Sequence, residues 1–256
     1  MIAIIGGTGI YDPKLFGDVE AKTVETPYGS VEVYLGEVYG REAAFLSRHG
    51  SGRHALPPHK INYRANIYAL KALNVERIIS MNSVGTINRN LAPGNAVVPN
   101  DFIDITKGRE GTFYDTEVVH VDLSNPYCPE LRKVLLEATE EVKGKVFDGG
   151  VYACTQGPRF ETPAEIRMLA AWGCDLVGMT GLPEAVLARE QEMCFASLCT
   201  VTNYAAGIAE KLTASEVKEV VEKSLEDTKS IIRGAVKRIP EERGCTCGET
   251  LKEARM

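Results

Sequence analysis

The sequence predicts a single α/β domain with a mixed β-sheet flanked by helices. Short apolar runs alternate with stretches of helical spacing along nearly the whole chain, no repeat or low-complexity linker divides it, and 256 residues suffice for one large core. Residues 2–5, 31–35, 43–47, 77–81, 96–99, 146–153, 175–179 and 194–202 read as strands, mostly buried, because their apolar character is continuous. A helix is expected over 60–73. Another follows Pro129, where Leu131, Val134, Leu135, Ala138 and Val142 share one stripe. Thr162, Pro163 and Glu165 supply the N-cap, first-turn proline and capping-box partner of a third, and Pro183 opens a fourth. Thr213 and Glu216 form a second capping box ahead of the stripe Val217, Val220, Val221, Leu225, Thr228, Ile231 and Ala235. The domain is expected to span 1–240, with 241–256 a polar C-terminal tail.

Composition excludes several kinds of partner. Hydrophobic residues make up 44% and charged residues 25%, the balance of an ordinary soluble chain. With 35 acidic and 29 basic residues the net charge is −6, so no broad field draws in nucleic acid or an anionic membrane, and any phosphate must be bound locally. No apolar run approaches the ~20 residues of a membrane span. The start, Met1-Ile2-Ala3-Ile4-Ile5, lacks the basic, extended character of a signal peptide, and a cytoplasmic location is the expectation.

Seven cysteines suit a reducing compartment. Cys154, Cys174, Cys194 and Cys199 lie in apolar runs and read as small core residues. Cys245 and Cys247, one residue apart in the tail, lack the spacing of a structural zinc site, which needs four ligands, and no histidine follows His120. A redox pair, a disulfide and a tail without function stay open for them, and no metal is expected.

In an α/β sheet, binding sites gather where strands end. The first strand runs into Gly6-Gly7-Thr8-Gly9, whose backbone N–H groups and Thr8 hydroxyl suit an anion. The dinucleotide fingerprint and the P-loop are both unmet, and a plain tight turn accounts for the glycines equally well. The third strand ends at Arg48 and His49, a guanidinium beside an imidazole. Another ends in Asn82, Ser83 and Gly85, and a later one in Met179, Thr180 and Gly181. Four strand ends carrying small or cationic donors converge on an oxyanion site. The stretch "TQGPRFETPAE" adds Phe160 and Glu161 on a loop braced by the capped helix.

The set "IIGGTGIYD", "SRHG", "PPHKINYRANIYALK", "NSVG", "GPRFETPAE", "GMTGLPEAVLARE" and "VTNYAAG" resembles the trimeric purine nucleoside phosphorylase and methylthioadenosine phosphorylase family over about residues 1–235. The resemblance implies a homotrimer or dimer of trimers, no metal, no organic cofactor, and displacement of a purine from C1′ of a ribose by inorganic phosphate. By the match, Thr8, Arg48, His49, Asn82, Ser83 and Thr180 hold phosphate. Met179 lies against the ribose, Phe160 packs near base and sugar, and Ala205 lies at the base site. Glu161 and Asn203 resemble the pair that acts on 6-oxopurines: Glu161 accepts the N1 proton of hypoxanthine or guanine, while Asn203 accepts from N7–H and donates to O6. Members that cleave methylthioadenosine carry Asp at the positions of Asn203 and Ala205, which speaks against adenine.

At the sugar's 5′ end, the helix start around Thr213 and Ala214 is small and fairly apolar, so 5′-methylthioinosine competes with inosine and guanosine as substrate. His54 and His59 are further candidates there, from the same or a neighbouring subunit. A nucleotide-binding regulator would use the same strand ends without turnover, and a hydrolase would use water instead of phosphate.

Overall fold

Alternation of side chains across β1 (Ile2–Gly6) builds two cores at once: Ala3 and Ile5 face one, Ile2 and Ile4 the other. The computed structural model describes residues 1–7, 17–50, 55–142, 145–208 and 213–255. Ten further strands follow: β2 (Val19–Val24), β3 (Val31–Val38), β4 (Arg41–Ser47), β5 (Arg77–Thr86), β6 (Ala96–Val98), β7 (Asp101–Asp104), β8 (Val146–Asp148), β9 (Val151–Cys154), β10 (Leu176–Gly178) and β11 (Cys194–Tyr204). All eleven join one mixed sheet. Among the described residues five α-helices cover it: α1 (Tyr63–Ala72), α2 (Pro129–Glu137), α3 (Pro163–Ala171), α4 (Glu184–Glu190) and α5 (Ala214–Arg238). Residues of α1 and α4 pack into the first core, and those of α2 and α5 into the second. A third, smaller core sits under α3 around Ile166 and Leu169. This is the single α/β domain expected from the pattern of apolar runs.

The sheet's branch point positions the site. β5 pairs parallel with β1 on one side and β11 on the other, and its carboxyl end also pairs antiparallel with β10 through Gly85 and Thr86. A register shift in β11 between Val201 and Asn203 lets that strand follow the bend. Because β1, β4, β5 and β11 run parallel, their carboxyl ends emerge together. The ends of β5, β10 and β11 therefore meet around one opening.

Both capping boxes form. The Thr162 hydroxyl accepts from the Glu165 N–H while the Glu165 carboxylate accepts from the Thr162 N–H, and Thr213 and Glu216 repeat the exchange. Two strands escape the pattern: β2 and β7 lie at the ends of the sheet path with largely exposed or half-exposed residues, so neither carries an apolar run. The run 146–153 is not one strand. Gly149 and Gly150 adopt φ of 90° and 110°, breaking it into β8, which pairs with β6, and β9, which pairs with β7 and β10. The segment after α5 is docked, with Cys247 and Ala254 buried and the His120 N–H donating to the Ala254 carbonyl at 2.8 Å.

Candidate active site

The strand ends open into a cavity of about 340 Å³ lined by Arg48, His49, Ser83, Phe160, Glu161, Met179, Thr180 and Asn203. Eight of the expected site residues thus share one wall, drawn from β4, β5, the loop before α3, β10 and β11. Three others stand elsewhere. Thr8 lies outside the described residues, although Gly7 borders a smaller cleft with Asn82 and Ser83. Asn82 is buried with its amide turned inward, its Nδ2 donating to the Ser197 and Ser80 hydroxyls at 2.6 and 3.2 Å and its Oδ1 accepting from Thr180 at 3.2 Å. It orients Thr180 rather than facing the main cavity. Ala205 does not line the cavity either: β11 ends at Tyr204, the Ala205 N–H turns back to the Thr86 carbonyl at 2.9 Å, and its methyl joins the third core.

Arg48 is the most constrained of the group. Its side chain is fully buried and clamped by Glu184, Nε to Oε1 at 2.6 Å and Nη2 to Oε2 at 2.9 Å. Nη2 also donates to the Ser80 hydroxyl at 2.6 Å and Nη1 to the Met81 carbonyl at 2.9 Å. Four of five N–H groups are thus committed among the described residues, leaving one on Nη1, the nitrogen that would stand 2.8 Å from a Cβ at Gly7. Glycine at position 7 is required on this ground, since the same Cβ would lie 2.4 Å from the Met81 carbonyl oxygen. The Glu184 carboxylate counters the desolvation of the guanidinium and holds its pKa above the ordinary value. Nδ1 of His49 hydrogen-bonds the Leu56 carbonyl at 2.8 Å, which directs Nε2 away from that backbone.

The other end of the cavity is built from neutral donors and one carboxylate. Thr155 donates to Oε1 of Glu161 at 2.6 Å, fixing the carboxylate and leaving Oε2 for a ligand. Thr202 donates to Oδ1 of Asn203 at 2.8 Å, and Nδ2 of Asn203 donates to the Tyr204 carbonyl at 3.0 Å. One Nδ2 hydrogen and one Oδ1 lone pair remain for a partner. Gly85 makes room for this amide: a Cβ there would stand 2.9 Å from Nδ2. The loop carrying Phe160 and Glu161 is braced by Arg159, whose guanidinium forks onto Glu165 at 2.7 and 2.8 Å. Phe160 stands 42% exposed at the cavity wall.

Several positioning residues carry no motif of their own. Tyr152 is buried between Gly178 and Gly181, and its hydroxyl accepts the N–H groups of Gly181 at 3.2 Å and Thr180 at 3.4 Å, shaping the loop after β10. Thr155 and Thr202 act on Glu161 and Asn203. Val217, one turn into α5, lines the cavity with Pro57 and Pro58, close to the helix start expected to be apolar. His59 borders a separate cavity with Tyr28, Arg64 and Arg109, and His54 lies outside the described residues.

Buried donors at one end and a carboxylate–amide pair at the other, assembled on parallel strand ends of a mixed α/β sheet, define the site class of a nucleoside phosphorylase. A model of the phosphorylase superfamily matches residues 1–237, and the chain belongs to that family. It is 51% identical over 262 residues to a 6-oxopurine nucleoside phosphorylase of Pyrococcus furiosus, covering 99% of this chain and 98% of that one. It is equally 51% identical over 257 residues to a probable S-methyl-5′-thioinosine phosphorylase of Methanothermobacter thermautotrophicus, covering 99% and 90%. Among solved structures, a methylthioadenosine phosphorylase from Schistosoma mansoni in complex with adenine superposes with a TM-score of 0.94 at 33% identity, covering 100% and 98%.

Proposed function

We propose that the protein is a pentosyltransferase that cleaves 6-oxopurine nucleosides with inorganic phosphate, releasing the free base and a ribose 1-phosphate, in purine salvage. The observation that carries this reading is the shared cavity of Glu161 and Asn203 with Arg48, His49, Ser83 and Thr180. Phosphate oxygen bonds to C1′ as the C1′–N9 bond breaks, and the electron pair of that bond leaves with the purine. Positive charge grows on the ribose and negative charge on the base, so stabilisation is needed at both ends and no covalent enzyme intermediate is required. His49, Ser83 and the remaining Nη1 hydrogen of Arg48 hold the nucleophile, and the Thr180 hydroxyl joins them by turning its hydrogen from Asn82 to phosphate. Because Glu184 neutralises Arg48, the guanidinium contributes a directed hydrogen bond more than net charge. Met179 offers the ribose a soft apolar surface. Oε2 of Glu161 accepts the N1 proton, and Asn203 accepts at N7 and donates to O6 as charge builds on the base.

Adenine fits poorly, since its N1 lone pair would meet the Glu161 carboxylate and its amino group would meet the donor end of Asn203. A mismatch of buried hydrogen-bonding groups discriminates by roughly 10⁴ or more. A methylthioadenosine phosphorylase is accordingly not favoured. The apolar walls of Val217, Pro57 and Pro58 support a 5′-methylthio substituent, which makes 5′-methylthioinosine a substrate beside inosine and guanosine. Self-association as a trimer or dimer of trimers belongs to the same proposal, and light scattering at a few protein concentrations measures it. No metal or organic cofactor takes part in the proposed reaction.

The decisive experiment supplies inosine, guanosine, adenosine and 5′-methylthioinosine with and without phosphate. Release of hypoxanthine and ribose 1-phosphate only when phosphate is present is the expected result. Base release without phosphate would make the protein a hydrolase, binding without turnover a regulator, and a preference for adenosine would refute the roles of Glu161 and Asn203.

A further inference from the structure

On the face of the sheet covered by α2 and α5, four cysteines far apart in sequence converge. The Sγ atoms of Cys128, Cys194, Cys245 and Cys247 all lie within 4.8 Å of one another, and Cys194 and Cys245 approach to 3.3 Å. A tetrahedral zinc thiolate with Zn–S bonds of about 2.3 Å has sulfurs about 3.8 Å apart. The cluster needs only sub-ångström shifts to close on an ion. We propose that these four cysteines form a structural site for a single thiophilic divalent cation, zinc foremost, which fastens the C-terminal segment to the body of the domain.

Each sulfur is delivered by a fixed backbone. Cys128 is the N-cap residue of α2, and its N–H donates to the Phe195 carbonyl at 2.8 Å. Cys194 opens β11, and its N–H donates to the Glu76 carbonyl at 2.9 Å. The Cys-Thr-Cys stretch is pinned on both sides: the Gly244 N–H donates to Glu130 at 2.7 Å, Arg243 to the Glu192 carbonyl at 2.9 Å, and the Leu251 N–H to Glu192 at 3.2 Å. Three of the four are buried and Cys245 is half-buried.

The surroundings suit anionic sulfur. Nη1 of Arg189, a buried guanidinium, lies 3.8 Å from the Cys247 Sγ, and Nη2 of the same group holds the Asn125 carbonyl. Cys128 itself stands at the N-cap of α2, beside the positive end of the helix. A tetrathiolate around a divalent ion carries a net charge of −2, and a guanidinium and a helix N-terminus both favour it. A disulfide is neutral and gains little from either. Each sulfur is also within reach of all three others, whereas two disulfides would draw the cluster into separate pairs at about 2.0 Å. A metal takes the sulfurs as thiolates, so any thiol protons pass to solvent as the four S–metal bonds form, with no change in oxidation state.

Cys194 opens β11, whereas Asn203 of the active-site cavity lies at the other end of that strand, and none of the four cysteines lines the cavity, so the site's role is structural. The test starts from full-length protein purified under reducing conditions, with the metal measured by mass spectrometry before and after loading with zinc or cobalt(II). One ion per chain is expected. The cobalt form should show thiolate-to-metal charge transfer and the intense visible bands of tetrahedral tetrathiolate coordination. C245S/C247S should lose the ion while C174S keeps it, and chelation should lower Tm and expose the C-terminal segment to protease with kcat/KM little changed. Because the cobalt spectrum is read on the unaltered chain, the outcome stands even if a variant folds poorly. Failure of the reduced protein to take up either ion, or a native mass lower by two or four hydrogens with no metal bound, would overturn the proposal in favour of free thiols or disulfides.

Discussion

Replacing Asn203 with Asp tests the assignment of base specificity at its narrowest point. In the native site the Asn203 amide has a fixed sense: Oδ1 accepts from Thr202 at 2.8 Å, and Nδ2 donates to the Tyr204 carbonyl at 3.0 Å while offering its second hydrogen to the cavity. A carboxylate keeps the Thr202 bond on one oxygen but turns its other oxygen, an acceptor only, toward both the Tyr204 carbonyl and O6 of a 6-oxopurine. One hydrogen bond is lost at each place and replaced by a repulsion. Leaving a buried polar group unpaired costs ~1–3 kcal/mol. The half-buried setting of Asn203 places the loss toward the middle of that range, and each ~1.4 kcal/mol is about tenfold in rate constant. Asn203→Asp is therefore expected to lower kcat/KM for inosine at least tenfold, measured by hypoxanthine release at saturating phosphate.

The same change should narrow the gap to adenosine, because the introduced carboxylate can accept from the 6-amino group. It should not close the gap while Glu161, held by Thr155, still opposes the N1 lone pair. Asn203→Asp combined with Glu161→Ser should narrow it further. The KM for phosphate serves as an internal control and should stay nearly constant. If the single variant retained full inosine activity and gained none on adenosine, Asn203 would not contact position 6, and the argument for 6-oxopurine specificity would lose its main support.

Arg48→Ala is expected to raise the KM for phosphate far more than that for nucleoside, and also to destabilise the fold by ~3–5 kcal/mol, because it strands the buried Glu184 carboxylate; equal changes in both KM values would count against a phosphate contact. Gly157→Ala places a side chain at φ 60° and a Cβ 2.6 Å from the Met179 Sδ. The left-handed backbone alone costs ~1–2 kcal/mol, so steady-state assays should show the KM for nucleoside rising while that for phosphate holds. Glu165 supplies the pH dependence: hydrogen bonds, first from Arg159 and then from the Thr162 N–H, lower its pKa from 4.5 to about 2. A depressed folded-state pKa stabilises fully above about 4.5 and loses that contribution as pH falls through about 2. The protection factor for amide exchange at the start of α3, taken against the intrinsic rate at each pH from 6 downward, should fall over that window, and in Arg159→Ala it should already be lower near neutrality; identical profiles would show that the fork does not brace the loop.

What the sequence displayed, and what it hid, divides along a physical line. Residues that make a site possible through their own chemistry were legible: Arg48 and His49 at a strand end, Glu161 ahead of a capping box, and Asn203 closing an apolar run all reach the same cavity. Residues that work by supporting others were not, because a hydroxyl states its partner only after the chain has folded. Thr155 reads as an ordinary loop residue, and Thr202 and Tyr152 as ordinary strand residues, until β5, β10 and β11 bring them against Glu161, Asn203 and the Thr180 loop. Asn82 shows the converse, a residue with suitable chemistry whose donors are consumed by Ser80 and Ser197 before they can reach a ligand. The cysteines extend the same reasoning. Two of them, one residue apart, cannot enclose an ion, and the other two stand at the head of a helix and the start of a strand, where each alone is one more small buried side chain. Only the pairing of β11 with β5, which fixes Cys194, and the docking of the C-terminal segment beside α2 place four sulfurs together. Sequence thus exposes the side chains whose own chemistry suits a ligand, whereas the groups that hold those side chains in register become visible only through topology.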